Sequence, residues 1–389
     1  MAAISTVISD MNIPAISVRT MVATLSSLYV SAIRSDLGPR KIPSVFLWGA
    51  PGVGKTQGVY EIADEIGKST GKKVTVTDIR LLLFSPTDLR GLPVKMEEKV
   101  RAADAKAGGD EEKRQFAEWL RPKVFDLDPS EDTVNFLFLD ELSACSPSVQ
   151  AAAYQITLDR TVGEHRLPDN TIIIAAGNRT TDRSVAYIMP RALSNRMMHF
   201  QIEVDWDSWH KWAVRNRIHP LVTGYLSYAP SKLYCEPESK HVLAYPTPRT
   251  WQFLSDLLFM NGVTEETTLT DAMRLLVGSC IGTGASIEFC GWCNVYRSLP
   301  SARDICEGSK APYPRKQDVL FALVSSLVSY VSAKEGISRA ELENLCRYVE
   351  RFPADFKALL YSDLLEIPGM DKKLVMVPEF RTWAGKPGR

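Results

Sequence analysis

The stretch "FLWGAPGVGKT", residues 46 to 56, sets three glycines and a lysine directly behind an apolar run. Residues 45 to 48 have the length and composition of a short buried strand. Gly49, Gly52 and Gly54 then allow the backbone to turn so that several N–H groups face one point. A turn of this kind before a helix binds an anion such as phosphate, so the stretch predicts a strand, a phosphate loop and a helix.

The spacing of this loop matches the P-loop pattern G-x-x-x-x-G-K-[ST]. Lys55 is expected to reach the outer phosphates of a nucleotide, and Thr56 is expected to hold Mg²⁺. The alternative is an ordinary glycine-rich turn between a strand and a helix, and the match to the whole spacing favours the P-loop. The predicted nucleotide-binding residues of the loop are Gly49, Ala50, Pro51, Gly52, Val53, Gly54, Lys55, Thr56 and Gln57.

A second apolar run, "VNFLFLDEL" at residues 134 to 142, ends in two acids. In P-loop proteins an acid at this place orients the hydrated Mg²⁺, and an acid beside it polarises the water that attacks the γ-phosphate. We assign the first role to Asp140 and the second role to Glu141. Asp140 is therefore counted among the predicted nucleotide-binding residues and, with Thr56, among the predicted metal ligands. The alternative is that the two acids only open a turn or cap the next helix, and the upstream P-loop weakens it.

The composition limits the class of protein. The chain has 389 residues, of which 45% are hydrophobic and 24% charged, enough for two or three domains. Lys plus Arg and Asp plus Glu both number 46, so nothing indicates a dedicated nucleic-acid-binding protein. No apolar run approaches about 18 residues and the amino terminus lacks a signal-peptide pattern, so we predict a cytoplasmic protein without a membrane span. Seven cysteines indicate reduced thiols.

The pattern around these motifs predicts further elements. Apolar residues recur at steps of three and four from 18 to 33, which predicts an amphipathic helix before the P-loop strand. Residues 95 to 114 are charged and nearly devoid of large apolar groups, which predicts a solvated insertion. The run "TIIIAAGN", residues 171 to 178, predicts a buried strand that ends in Asn178. Beyond residue 204 the pattern is helical.

Taken together and in this order, the motifs resemble those of the AAA+ ATPases, specifically of the MoxR and dynein-related branch, from about residue 15 to residue 335. The resembling segments are "GAPGVGKT" (Walker A), "LFSPTDLRGLP" (entry to the helix-2 insert of that branch), "FLFLDEL" (Walker B), "DRTVGEHRLP" (hairpin before sensor 1), "AAGN" (sensor 1), "ALSNRMMHF" (arginine-finger helix) and "YPTPRTW" (sensor 2).

The resemblance implies the fold class and the domains. The fold is expected to be α/β, an AAA+ αβα P-loop sandwich with a parallel sheet, followed by an α-helical lid domain. We place the nucleotide-binding domain at 1–204, with the N-terminal helix and the charged insertion near 95–114. The lid domain is placed at 205–345, and a C-terminal helical extension and tail at 346–389.

The resemblance also implies site residues beyond the two acids. Asn178 would be sensor 1, Arg196 the finger inserted into a neighbouring subunit's site, and Arg249 the lid arginine that senses the γ-phosphate. Arg191 is the alternative finger, and Arg160 is a further candidate interface arginine. A planar, permanently charged guanidinium suits the charge that develops on the transferred phosphoryl group. The predicted catalytic residues are Glu141, Asn178, Arg196 and Arg249.

The function implied is hydrolysis of ATP with Mg²⁺ in a homo-oligomeric ring, expected to be hexameric, that remodels or matures a protein client. MoxR-like proteins commonly act with a von Willebrand factor A domain protein, so such a partner is expected, and neither nucleic acid nor a membrane is. Two alternatives stay open. One is a P-loop kinase, which needs an acceptor site, and the other is a nucleotide-gated assembly scaffold with little turnover.

Two remaining patterns are interpreted as structural. Trp206, Trp209 and Trp212 are spaced three apart, which places them on one helix face and favours a core or subunit contact. The sequence "CGWC", with Cys290 and Cys293, lies in a helical stretch and has no second pair of metal-ligand spacing. Buried thiols are therefore favoured over a redox or zinc site.

Overall fold

The structure, a computed structural model, describes residues 7–8, 11–35, 37–100, 112–179, 187, 189, 191–239, 241–264, 267–296, 299–334 and 336–385. The chain divides into two compact units, Met1–Glu203 and Val204–Arg389. The first unit contains the sheet and the phosphate loop, and the second unit is built from helices.

A mixed but largely parallel sheet forms the centre of the first unit. The strands of the described residues are β1 (Val7–Ile8), β2 (Pro14–Ser17), β3 (Val45–Trp48), β4 (Lys73–Arg80), β5 (Leu92–Val100), β6 (Glu112–Leu120), β7 (Thr133–Asp140), β8 (Thr161–Val162), β9 (His165–Arg166), β10 (Thr171–Gly177) and β11 (Met198–Glu203). The main sheet has the order β1-β2-β11-β3-β10-β7-β4, and its pairs are parallel except β1 with β2. The predicted α/β fold with a parallel sheet is confirmed.

The order of the central strands determines which strand ends lie side by side at the edge of the sheet. Strand β10 lies between β3 and β7, and its residues are all buried, as are those of β7 up to Leu139. A parallel strand covered on both faces needs a continuous apolar run, which both sequences supply. Because the three strands are parallel, their carboxyl ends at Trp48, Gly177 and Asp140 lie at one edge of the sheet.

The α-helices that the structure describes in the first unit are α1 (Val18–Arg34), α2 (Lys55–Thr70), α3 (Pro86–Arg90), α4 (Pro147–Tyr154), which continues into a π-helical turn (Gln155–Asp159), and α5 (Arg191–Ser194). Helix α1, predicted from the apolar periodicity, buries Met21, Leu25 and Tyr29 and packs on α2. The two helices approach closely at Gly58, where an added Cβ would lie 2.2 Å from Cε of Met21.

Two hairpins accompany the sheet. Strands β8 and β9 form the short hairpin predicted at residues 160 to 168. Strands β5 and β6 form a longer one where the sequence predicts only a charged insertion, with Leu92 opposite Leu120 and Met96 opposite Phe116. All four of these apolar side chains are exposed. Residues 95–100 and 112–114 are therefore strand, because pairing across the hairpin stabilises segments whose own composition is polar. Residues 101–111 lie outside the described residues.

The second unit contains α6 (Trp206–Arg215), α7 (Pro220–Tyr228), α8 (Pro248–Met260), α9 (Asp271–Ile281), α10 (Thr283–Tyr296), α11 (Ala302–Cys306), α12 (Gln317–Ala333), α13 (Arg339–Val349), α14 (Ala354–Glu366), α15 (Met370–Leu374) and α16 (Pro378–Ala384). One core is formed mainly by α6 to α10 around Trp251. The other joins α12 to α13, α14, α15 and α16. Helices α14, α15 and α16, which lie beyond residue 345, therefore share a core with α12.

The carboxyl-terminal helix is a packed element of the second unit. Phe380 of α16 is 5% exposed. The ring of Tyr361 lies 5.2 Å from that of Phe380 and 4.7 Å from that of Trp383, measured between centroids. The described end of the chain, up to residue 385, is thus held by aromatic contacts.

The tryptophans and the "CGWC" cysteines lie in the second unit. Trp209 is buried, and Trp206 and Trp212 pack against the same core, which confirms the predicted core contact. Cys290 and Cys293 are both 5% exposed, and burial raises the pKa of each thiol. Among the described residues no group of three or more His, Cys, Asp and Glu side chains is arranged to hold a metal ion. Within that same part of the chain, every helix is too short or too polar to cross a membrane.

Replacing Phe380 by alanine should lower the free energy of unfolding of the helical unit by about 3 kcal/mol, because a buried ring is lost and a cavity remains. The matched control is Phe253→Ala, since Phe253 is 52% exposed on α8. The control should cost less than about 1 kcal/mol. Urea unfolding followed by tryptophan fluorescence measures both, and equal losses would show that α16 adds nothing to the core.

Candidate nucleotide site

The predicted phosphate loop connects β3 to α2. Gly52 and Gly54 have φ angles of 79° and 102°, in the left-handed region where a side chain is strained. The N–H of Gly49 donates to the carbonyl of Gly177 at 3.2 Å, and a Cβ at Gly49 would lie 2.8 Å from the carbonyl oxygen of Ile202. The loop is therefore held against β10 and β11, and these three positions require glycine.

The side chain of Lys55 turns back into the loop that precedes it. Its ammonium donates to the carbonyls of Gly49 at 2.5 Å and Ala50 at 3.0 Å, and to Oδ1 of Asn178 at 3.3 Å. The residue is only 8% exposed. A buried ammonium is costly unless its N–H groups are satisfied, and the loop carbonyls and Asn178 do this. The structure thus brings Lys55 and Asn178 together, as the predicted site requires.

The hydroxyl of Thr56 and the carboxylate of Asp140 lie side by side. Thr56 Oγ1 donates to Oδ2 of Asp140 at 3.3 Å, while Oδ1 of Asp140 accepts the N–H of Glu141 at 2.8 Å. One residue comes from the first turn of α2 and the other from the last position of β7. Mg²⁺ prefers oxygen ligands and keeps several waters, so this pair fits the metal that the sequence implies.

Glu141 adopts a conformation that is uncommon for a residue with a side chain. Its φ is 62°, in the left-handed region, and such strain is concentrated at functional sites. Its carbonyl accepts a hydrogen bond from Sγ of Cys145 at 3.3 Å. Burial, and then the charge of Glu141, raise the pKa of the Cys145 thiol to about 12, so that thiol remains a neutral donor. The turn after Asp140 is therefore tightly defined.

Ser143 joins this acidic turn to Asn178, a link that the sequence analysis missed. Its hydroxyl accepts the N–H of Asn178 at 2.9 Å and donates to the carbonyl of Asn178 at 3.0 Å. The amide of Gln150 donates to the Ser143 carbonyl at 3.4 Å, and the hydroxyl of Tyr154 donates to Gln150 at 2.8 Å. Ser143 thus holds the backbone of the residue whose side chain meets Lys55. In the sequence, Ser143 is only a small polar residue soon after two acids. Such a residue is too common to indicate a site.

A third carboxylate, Asp78 on β4, was also missed. In the register of β4 with β7, Arg80 pairs with Asp140, so Asp78 lies two residues earlier on the same face. The hydroxyl of Tyr60 donates to Oδ2 of Asp78 at 3.5 Å. Loss of hydration, and second the charge of Asp140, raise the pKa of Asp78. Asp78 therefore adds to the negative potential beside the residues that fit Mg²⁺.

The predicted arginines stand at separate places. Arg191 begins α5 and Arg196 lies in the turn before β11, and both are exposed. Arg249 is exposed in the first turn of α8, in the second unit. Arg160, the further interface candidate, donates to the carbonyl of Thr171 within its own unit, and its interface role stays a prediction. The roles of Arg191, Arg196 and Arg249 in catalysis stay predictions.

Comparison with known proteins gives similarity of fold at low identity. No protein-family model and no curated protein matches the chain. A chain of the HORMA:CdnC:Trip13 complex of E. coli MS115-1 is 11% identical over 70% of this chain and 87% of that chain, with a TM-score of 0.36. A mutant of Thermotoga maritima RuvB is 15% identical over 74% and 75%, with a TM-score of 0.34, and C. elegans PCH-2 is 15% identical over 71% and 68%, with a TM-score of 0.33.

The three TM-scores are low, so the similarity carries no weight for the activity of this chain. The AAA+ assignment and the MoxR branch stay predictions that rest on the chain's own motifs and on the site described above.

Replacing Ser143 by alanine should lower the free energy of unfolding of the first unit by about 1–3 kcal/mol, because it leaves the partly buried N–H of Asn178 without its acceptor. The matched control is Ser148→Ala, because Ser148 is exposed on α4 and, among the described residues, its hydroxyl bonds only to that of Ser146. The control should change stability by less than about 0.5 kcal/mol. Thermal unfolding measures both, and a Ser143 variant as stable as its control would contradict the assigned link.

Proposed function

We propose that this chain binds ATP with Mg²⁺ and hydrolyses it to ADP and phosphate. The observation that carries the proposal is the meeting of four predicted residues at one edge of the sheet. Lys55 bonds to Asn178 at 3.3 Å and Thr56 bonds to Asp140 at 3.3 Å. These residues follow or end three adjacent parallel strands, so backbone pairing rather than flexible loops sets their spacing.

The phosphate loop and the two acids have separate proposed roles in ATP binding and hydrolysis. Lys55 is expected to exchange its contacts with the loop carbonyls for the outer phosphate oxygens, and Thr56 with Asp140 would hold Mg²⁺. Held by these two residues, Mg²⁺ would supply positive charge that neutralises the phosphate oxygens. Glu141 would accept the proton of the attacking water, and Asn178 would orient that water.

The chemistry would be completed by a second copy of the chain. The exposed Arg196, or Arg191 in its place, is proposed to reach the site of a neighbouring subunit and to stabilise the charge on the transferred phosphoryl group. Arg249 is proposed to sense the γ-phosphate from the lid. Hydrolysis would then depend on assembly, which is consistent with a homo-oligomeric, MoxR-like AAA+ ring, proposed to be hexameric.

The biological role proposed is remodelling or maturation of a protein client. A lid that closes around bound nucleotide and reopens after hydrolysis would convert the chemistry at the phosphate loop into movement. A von Willebrand factor A domain protein is the proposed partner. The resemblance of the motifs to the MoxR branch supports this role and this partner.

Lys55→Ala and Glu141→Gln should have different effects, because one residue binds phosphate and the other acts on water. Lys55→Ala should lose ATP affinity. Glu141→Gln should bind ATP normally and lose at least about 10²-fold in turnover, since it removes the general base. Isothermal titration with ATP and steady-state release of phosphate without an acceptor measure the two effects. Normal turnover in Glu141→Gln would refute the assigned base, and a wild-type protein that binds ATP without releasing phosphate would be a scaffold.

Arg196→Ala and Lys55→Ala should each be inactive alone and should recover activity when mixed one to one. Recovery is expected because a Lys55→Ala subunit still lends Arg196 to the intact phosphate loop of its neighbour. Removal of such a finger costs on the order of 10³-fold or more in turnover. A mixture that stays inactive after verified subunit exchange would contradict a shared site. Full activity of Arg196→Ala alone would transfer the role to Arg191.

A further inference from the structure

Trp48 and His199 form a polar contact directly beside the phosphate loop. Trp48 is the last residue of β3, and His199 lies on the neighbouring strand β11, opposite Phe46. The indole Nε1–H of Trp48 donates to Nδ1 of His199 at 3.1 Å. The ring of Trp48 lies 4.2 Å from that of Phe46 between centroids, so its orientation is also held by packing.

The second ring nitrogen of His199 bonds to the segment that carries the candidate fingers. Nε2 of His199 lies 2.6 Å from the carbonyl oxygen of Ser194, the last residue of α5. A carbonyl only accepts and an indole only donates, so His199 must carry its proton on Nε2 and accept at Nδ1. Both bonds are made together only by this neutral form of the imidazole, which defines the orientation of the ring.

The turn that contains Arg196 is held at both of its ends. At one end the Ser194 carbonyl, bound by His199, also accepts the N–H of Met197 at 3.3 Å. At the other end the N–H of Met198 donates to the carbonyl of Ser44 at 3.0 Å. Arg196 itself is exposed between these anchors. The side chain of His199 therefore connects the α5 end of this turn to β3.

We infer that His199 is a positioning residue for the arginine finger. Through Ser194 it sets where the segment from Arg191 to Arg196 stands, and through Trp48 it connects that segment to the subunit's own phosphate loop. The inference rests on the proposed function, because a finger has a role only in a shared site. It assigns to His199 an effect on the activity of the neighbouring subunit, whereas a residue that only supported the fold would impair its own subunit equally.

The experiment separates these two effects by mixing subunits. Arg196→Ala subunits serve as acceptors, because they have an intact phosphate loop and no finger. Lys55→Ala subunits serve as donors, because they have a finger and no working loop. Adding His199→Ala to the donor should lower the recovered ATPase activity on the order of tenfold, since a misplacement of about 1 Å can cost up to about 10²-fold. Adding His199→Ala to the acceptor should leave the recovered activity within about twofold.

Two conservative variants of the donor provide the matched controls. His199→Gln keeps a donor near the Nε2 position and should restore most of the recovered activity. His199→Asn keeps a polar group near the Nδ1 position, does not reach Ser194, and should remain as low as alanine. Equal losses in donor and acceptor, or no loss in either, would overturn the inference. Absence of recovery with the parent pair would refute the shared site and, with it, the role of His199.

A measurement without ATP turnover distinguishes these failures. Arg191 and Arg196 are exposed, so trypsin cleavage after each of them reports how firmly the segment is held. His199→Ala should raise the cleavage rate at least about fivefold, and His199→Gln should return it toward the wild-type rate. Cleavage after Arg80, which is exposed on β4, serves as the internal reference. An unchanged rate in His199→Ala would show that His199 does not hold the segment, whatever the ATPase result.

Discussion

The parallel pairing of β3, β10 and β7 is the constraint on which the rest of the nucleotide site depends. It places three strand ends at one edge of the sheet, so that Lys55, Asn178 and Asp140 approach one another without any long loop to position them. The insertion of β10 between the other two strands matters most. It sets Asn178 between the phosphate loop and the acidic turn, where its side chain meets Lys55 and its backbone meets Ser143.

The polar groups at this edge satisfy one another in a continuous series. The ammonium of Lys55 is surrounded by loop carbonyls, and the hydroxyl of Ser143 both accepts from and donates to the backbone of Asn178. Buried polar groups are costly unless their hydrogen bonds are complete, so such a network admits few alternative arrangements. A bound phosphate would compete with carbonyl oxygens for the Lys55 ammonium. The loop is thus arranged for an anion before one arrives.

Local spacing explains why so much of the site was predictable. The phosphate loop is a contiguous pattern in which backbone geometry requires Gly49, Gly52 and Gly54, and Asp140 with Glu141 ends an unmistakable apolar run. Asp78 and Ser143 could not be found in the same way, because their meaning comes from the strand order and from the turn after β7. The hairpin of β5 and β6 was missed for a related reason. Each polar strand of this hairpin is stabilised by its partner strand, and the composition of one short stretch of sequence does not include both strands.

The amino-acid sequence by itself determined the phosphate loop, the acidic strand end, the α/β class and the helical character of the second unit, because each depends on residues close together in the chain. Only the tertiary structure decided which side chains share the edge of the sheet, that α16 packs into a core, and that His199 ties the finger segment to β3. Those outcomes depend on contacts between distant segments, and the free energy of such contacts comes from burial and hydrogen bonding that no local pattern records.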